Sequence, residues 1–176
     1  MIFTIQNMQE VIQQSNQKSI DYPTYRKLIV DLLKEGKSTG ITENPDYFQF
    51  SELNNGRMNR LDKTIKVSES HQNKLQNLTK KLTWLVISEG WCGDAAQILP
   101  VLNKLAECSE NIDFKIVIRD ENLDLMDLFL TNGNRAIPML LIINNETTKL
   151  VANWGPRPQT ATQMVKDFIK LHGGLN

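Results

Sequence analysis

Cysteine is scarce in this sequence: two, Cys92 and Cys108, in 176 residues. So small a number allows at most one internal disulfide and excludes a secreted scaffold stapled by several bridges. Charge of one sign is lacking too, since 20 basic side chains face 20 acidic ones for a formal net charge of +0. Without a net excess there is no bulk attraction for nucleic acid or an anionic membrane, and we expect neither as a partner. Long apolar runs are also absent. Spanning a bilayer takes roughly 18 or more consecutive apolar residues, and the longest runs here are strand-sized, such as Met139 to Ile143. The opening Met-Ile-Phe-Thr-Ile-Gln-Asn has neither the basic start nor the apolar core of a secretory leader, so the expected location is cytoplasmic. Cys92, Cys108, His71 and His172 form no C-x-x-C or H-x-x-x-H spacing, so neither a metal nor a cofactor is expected.

What is present is an average globular composition, 40% hydrophobic and 23% charged, which supports a buried core and excludes disorder and collagen. The length suggests one domain with an appendage. The first sixty residues are rich in Gln, Asn and Ser, and their apolar residues recur at helical spacing. We read 1–60 as an α-helical N-terminal extension and 61–176 as an α/β domain. Ile5, Met8 and Ile12 mark one helix; Tyr25, Leu28, Ile29, Leu32 and Leu33 mark a second, opened by Asp21 and Pro23 and stopped at Gly36. Residues 37–45 read as loop. Met58, Leu61 and Ile65 indicate a third helix whose start is blurred by Asn54, Asn55 and Gly56. Arg57, Arg60, Lys63 and Lys66 would line one side of it, which reads as a solvated face because Asp62 interrupts it.

Beyond residue 64 the periodicity changes. Leu75, Leu78 and Leu82 mark a helix, Thr83 to Ser88 a buried strand, Ala95 to Ala106 a helix and Phe114 to Arg119 a second strand. Strand, helix and strand in this order require a parallel crossover. Leu123 to Leu130 reads as a short helix, and Asp120, Glu121, Asp124 and Asp127 as helix N-terminal and surface charges. Met139 to Ile143 and Lys149 to Trp154 form an antiparallel hairpin. A last helix, Gln159 to Leu171, is expected to bury Met164, Val165, Phe168 and Ile169. The fold class is therefore α/β, with a mixed sheet flanked by helices.

The segment Glu89-Gly90-Trp91-Cys92-Gly93-Asp94-Ala95 sets Cys92 between a strand's end and a helix's start. Unpaired N–H groups and the helix dipole favour an anion there, which lowers a thiol pKa and supplies reactive thiolate. A small buried cysteine of no chemical consequence is the competing reading. Gly93 permits a partner's backbone to approach, and Trp91 can wall one side of a groove.

With Trp91-Cys92-Gly93, Pro100 eight residues on, and Ile137-Pro138 before the hairpin, residues 64 to 172 resemble the thioredoxin superfamily. The motif matches the start of the family's Trp-Cys-Gly-Pro-Cys, Pro100 the proline inside its active-site helix, and Pro138 its cis-proline. The resemblance implies a thioredoxin-like fold, Cys92 as attacking thiol, and a substrate groove at Ile137 and Pro138. A bacterial branch with Trp-Cys-Gly-Asp followed by Ala or Ser is the nearest in pattern.

The sequence departs from the family at Ala95, where the second cysteine would stand, and a mixed disulfide at Cys92 would then persist until an outside thiol resolved it. Cys108 does not serve. A straight helix would hold it roughly 20 Å from Cys92, against about 7 Å between the Cα atoms of a disulfide. We read Cys108 as structural. Val86 stands where many relatives carry a buried aspartate. Glu89 is either a substitute base or, the reading we favour, a solvated loop acid. Asp94 caps the helix start but opposes a neighbouring thiolate.

These residues predict a monothiol thiol-disulfide oxidoreductase, with a protein or low-molecular-weight thiol or disulfide as partner. Two alternatives stand beside it: a redox-inactive thioredoxin-fold module that binds a protein, and a redox sensor that dimerises through Cys92.

Overall fold

The computed structural model describes residues 5–41 and 44–174. Met1 to Thr4 of the opening segment, and Thr42 and Glu43 of the expected loop, lie outside the described residues. Along the chain come α1 (Ile5–Gln17), β1 (Ile20–Asp21), α2 (Tyr22–Lys34), α3 (Pro45–Thr64), α4 (Glu69–Gln76), β2 (Leu82–Ser88) and α5 (Gly93–Ala106). They are followed by β3 (Ile112–Ile118), a short 3-10 turn, α6 (Leu123–Met126), β4 (Met139–Asn144), β5 (Leu150–Trp154) and α7 (Gln159–His172). Among the described residues no helix is long and apolar enough to cross a membrane.

The five strands form one mixed sheet in the order β1-β3-β2-β4-β5. β2 and β3 run parallel, Trp84 opposite Phe114 and Ser88 opposite Ile118, with α5 as the crossover between them. The other three pairings are antiparallel. β2 is central, and Leu85, Val86 and Ile87 are wholly buried. That is the environment a continuous apolar run requires. Around them pack Leu99, Ile116, Leu125, Met126 and Leu141. Burying one such aliphatic side chain contributes about 1.5–3 kcal/mol.

The helical extension is tied into this core. Asp21 caps α2 by accepting from the Thr24 N–H at 2.8 Å, and Tyr25 and Ile29 of α2 are fully buried. α2 packs on β3, and α3 runs alongside α5 with Met58 buried. α3 begins at Pro45, inside the segment expected to be loop. Asn44 accepts from the Asp46 N–H at 2.9 Å, and Pro45 occupies the first turn, where its missing N–H costs nothing.

Several local expectations are corrected. The helix marked by Leu75 and Leu78 stops at Gln76, and Leu82 begins β2, paired with Ile112 and Asn144. α6 ends at Met126 rather than Leu130, because tight bonds from Leu128 to Leu125 and from Phe129 to Met126 close the turn. β1 was not signalled at all, since two residues are too few to show a period. The expected burial of α7 fails most clearly. Met164 is 67% exposed, Phe168 and Ile169 are exposed and Val165 is half-buried. Periodicity reports that a helix has an apolar face, not that anything covers it. Beside the start of α7 lies an open apolar groove of about 530 Å³ lined by Ile98, Val101, Leu102, Leu105, Leu140 and Trp154.

Candidate functional site

β2 ends at Ser88, and the next four residues turn into α5. Cys92 is the N-cap of α5: its Sγ accepts from the Ala95 N–H at 3.5 Å, a weak sulfur bond that satisfies one of the helix's free donors. In the other direction the thiol donates to the carbonyl oxygen of Ile137 at 3.3 Å. The Ile137–Pro138 bond is cis. Pro138 sits immediately before β4, whose Met139 pairs with Ile87 of β2, so the sheet brings Ile137 and Cys92 together across 45 residues of sequence. Gly155 holds this turn from behind. A Cβ on it would lie 2.2 Å from the Pro138 carbonyl oxygen, and its φ of +150° suits glycine. Pro100 lies inside α5 and is buried.

Cys92 is 8% exposed. Burial is the main reason its thiol is pushed up to about 11; the Ala95 N–H works against that and the Asp94 carboxylate adds to it. The expectation of a thiol lowered by its helix is therefore not met by the covered site, because the N–H groups of Ala95 and Asp94 and the Arg119 charge do not offset desolvation. Asp94 is bound by Arg157, whose Nε donates to Oδ2 at 2.6 Å. Ala95 is buried against the core. Cys108, past the far end of α5, is free and half-buried and donates to the Lys104 carbonyl at 3.3 Å.

The motif around Cys92 is packed under residues 39–41 and 44–57. The Tyr47 ring stacks on Trp91 at 4.3 Å and 10°. The Asn54 amide donates to the Gly90 carbonyl at 3.1 Å, and the Gly90 N–H donates to the Thr39 hydroxyl at 2.7 Å. Arg57, expected on a solvated stripe, instead turns inward. Its Nη1 donates to Asn54 Oδ1 at 3.0 Å and lies 3.5 Å from where a Gly93 side chain would begin. Arg60, Lys63 and Lys66 are exposed, as a solvated face requires.

Glu89 is not the solvated loop acid favoured above. It is fully buried, takes the Asp120 N–H at 3.0 Å on Oε1 and the Thr39 hydroxyl on Oε2, and burial pushes its carboxyl up to about 7. Asp120, expected on the surface, is buried beside it and paired at 2.8 Å with Arg119, whose guanidinium also lies 4.8 Å over the Trp91 ring. Gly40, at a φ of +92°, passes so close to Asp120 Oδ2 that a Cβ there would come within 2.9 Å. Thr39, Tyr47, Asn54 and Arg157 were not singled out in the sequence. Only the helical stretch around Asn54 offered a hint, and that stretch has no chemical signature of its own. Among the described residues no three His, Cys, Asp or Glu side chains gather in a way that could hold a metal ion.

A mixed sheet, a cysteine at the start of its crossover helix, and a cis-proline beside that cysteine define a thioredoxin-fold site with a single thiol. A family model described as thioredoxin matches residues 41–169, well over half of the chain, and the protein belongs to that family. The α/β fold class expected from the sequence is borne out. A crystal structure of a protein of unknown function from Pseudomonas aeruginosa is similar in fold, with a TM-score of 0.58 and 21% identity over 70% of this chain and 78% of that one. A crystal structure of an HIV epitope-scaffold gives a TM-score of 0.54 and 21% identity over 82% and 88%. No curated protein matches the sequence.

Proposed function

We propose that the protein is a monothiol thiol-disulfide oxidoreductase of a bacterial thioredoxin branch marked by Trp-Cys-Gly-Asp and Ala or Ser. The observation that carries this reading is the placement of Cys92 Sγ, between the Ala95 N–H of α5 and the Ile137 carbonyl before cis-Pro138. Cys92 attacks one sulfur of a disulfide as thiolate, forming a mixed disulfide and releasing the other sulfur as a thiolate. With alanine at position 95, a protein or small-molecule thiol from outside attacks the adduct and regenerates Cys92. In the covered state the neutral thiol donates to Ile137, so the reactive form arises when Thr39, Gly40 and the first half of α3 admit solvent and substrate. The setting is cytoplasmic. The test is intact-mass detection of an adduct on Cys92 after treatment with 2-hydroxyethyl disulfide, and its removal by added thiol. Absence of any adduct overturns the reading.

The burial of Cys92 and the upward shift of its thiol favour a second reading, a redox-inactive module that holds a protein partner. Partner capture that survives both reduction and Cys92→Ser supports it. The sensor reading requires a disulfide between two copies at Cys92, detectable by non-reducing electrophoresis after mild peroxide.

A further inference from the structure

We propose that Arg57 selects an anionic partner for Cys92, namely a low-molecular-weight disulfide or thiol that carries a carboxylate. This rests on the oxidoreductase reading above and names its substrate class.

Charge balance around the motif leads to this assignment. Among the described residues, Glu89 and Asp94 are the charges within 89–95, and Arg57, Arg119, Asp120 and Arg157 lie against the segment or its partners. Arg157 is matched to Asp94, and Arg119 to Asp120. Glu89 is sealed beneath Thr39 and Gly40, with its oxygens taken by Thr39 and the Asp120 N–H. Arg57 has no carboxylate partner among the described ion pairs, and its one hydrogen bond is to the neutral Asn54 amide oxygen. Asn54 in turn clamps the Gly90 carbonyl, so the guanidinium is anchored to the motif turn rather than loose in solvent. Gly93 follows Cys92 and has no side chain to screen it, which leaves the Arg57 Nη1 against the motif backbone. A half-buried guanidinium with unused donors beside Gly93, the residue that follows Cys92, fits a carboxylate, which it can bind through two parallel hydrogen bonds. The exchange itself is unchanged: Cys92 thiolate displaces one thiolate from the disulfide, and the carboxylate is held rather than altered.

The test compares two alkylating probes of nearly equal size, anionic iodoacetate and neutral iodoacetamide, on the full chain carrying Cys108→Ser, so that Cys92 is the one reacting thiol. The expected result is a ratio of iodoacetate to iodoacetamide rates that falls about fivefold in Arg57→Gln, the upper end for a half-exposed ion pair, and is largely kept in Arg57→Lys. Circular dichroism establishes that each variant is folded. A ratio that Arg57→Gln leaves unchanged overturns the assignment. A parallel comparison of dianionic dithiobis(2-nitrobenzoate) with neutral 2-hydroxyethyl disulfide separates the two claims. Exchange with both disulfides and no charge preference overturns the role of Arg57 alone. Charge-selective alkylation without any disulfide exchange overturns the oxidoreductase reading and the substrate class with it.

Discussion

Tyr47 lies flat on Trp91, ring centroids 4.3 Å apart, and so joins the N-terminal helices to the residue that precedes Cys92. Such a stack contributes about 0.5–1.5 kcal/mol beyond the area it buries. Tyr47→Ala is therefore expected to raise the rate of Cys92 alkylation by iodoacetamide roughly two- to tenfold, read at a pH well below the thiol's own titration. An unchanged rate would show that the stack does not restrain access.

Asp94 raises the Cys92 thiol, and Arg157 holds Asp94 in place. Asp94→Asn removes that carboxylate charge and is expected to move the pH midpoint of Cys92 alkylation down by roughly half a unit, about 0.7 kcal/mol. Arg157→Ala leaves Asp94 unpaired and moves the midpoint up. An unmoved midpoint in Asp94→Asn would place Asp94 outside the electrostatic reach of the thiol.

Glu89 links acidity to stability. Its carboxyl sits at about 7 in the fold against 4.5 when unperturbed, so between those values the folded protein holds more protons than the unfolded chain. Stability contributed by this group is present below about pH 4.5, declines as pH rises to about 7, and is absent above, a change on the order of 3 kcal/mol at most. Urea titrations across pH 5 to 8 should show this decline in the wild type and a flatter profile in Glu89→Gln. A wild-type curve that rises over the same interval would contradict the burial argument.

Gly155 carries the steepest steric prediction. Any side chain there puts its Cβ 2.2 Å from the Pro138 carbonyl oxygen, a backbone atom with no flexible side chain to yield. Gly155→Ala is expected to cost several kcal/mol, on the order of 2–4, or to abolish soluble expression. Gly133, with open space around it, serves as the control. Its φ of +78° makes Gly133→Ala cost only about 1 kcal/mol. Equal effects at the two positions would rule out the contact with Pro138 as the cause.

The strands β2 to β5 and the crossover helix were legible because each combines a strong period with turn residues at its ends. The approach of Ile137 to Cys92 was legible only through the motif order, since nothing local joins residues 45 apart. The misplaced acids have a common cause. Glu89 and Asp120 look like ordinary loop charges, and what buries them is Thr39 and Gly40, from a segment with no periodicity to reveal where it runs. Arg57 was hidden in the same way. Its spacing matches Arg60, Lys63 and Lys66, and only the packing of α3 on α5 separates the one that turns inward from the three that do not. In α7 the error ran in the opposite sense, an apolar stripe without a cover.

The first half of α3 buries the polar side chains Ser51 and Asn54 and leaves Phe50 and Leu53 outside, the reverse of an ordinary surface helix. Lifting that half from the motif breaks directional bonds and separates one aromatic stack, Tyr47 on Trp91, an apolar area far smaller than global unfolding releases. Denaturant acts in proportion to the surface released, so backbone amides exposed by this motion alone will exchange with solvent at rates that depend only weakly on urea. Amides of β2 will follow the full slope of global unfolding. The packing over the motif and the core beneath it are thus separable by a solvent that weakens one strongly and the other only slightly.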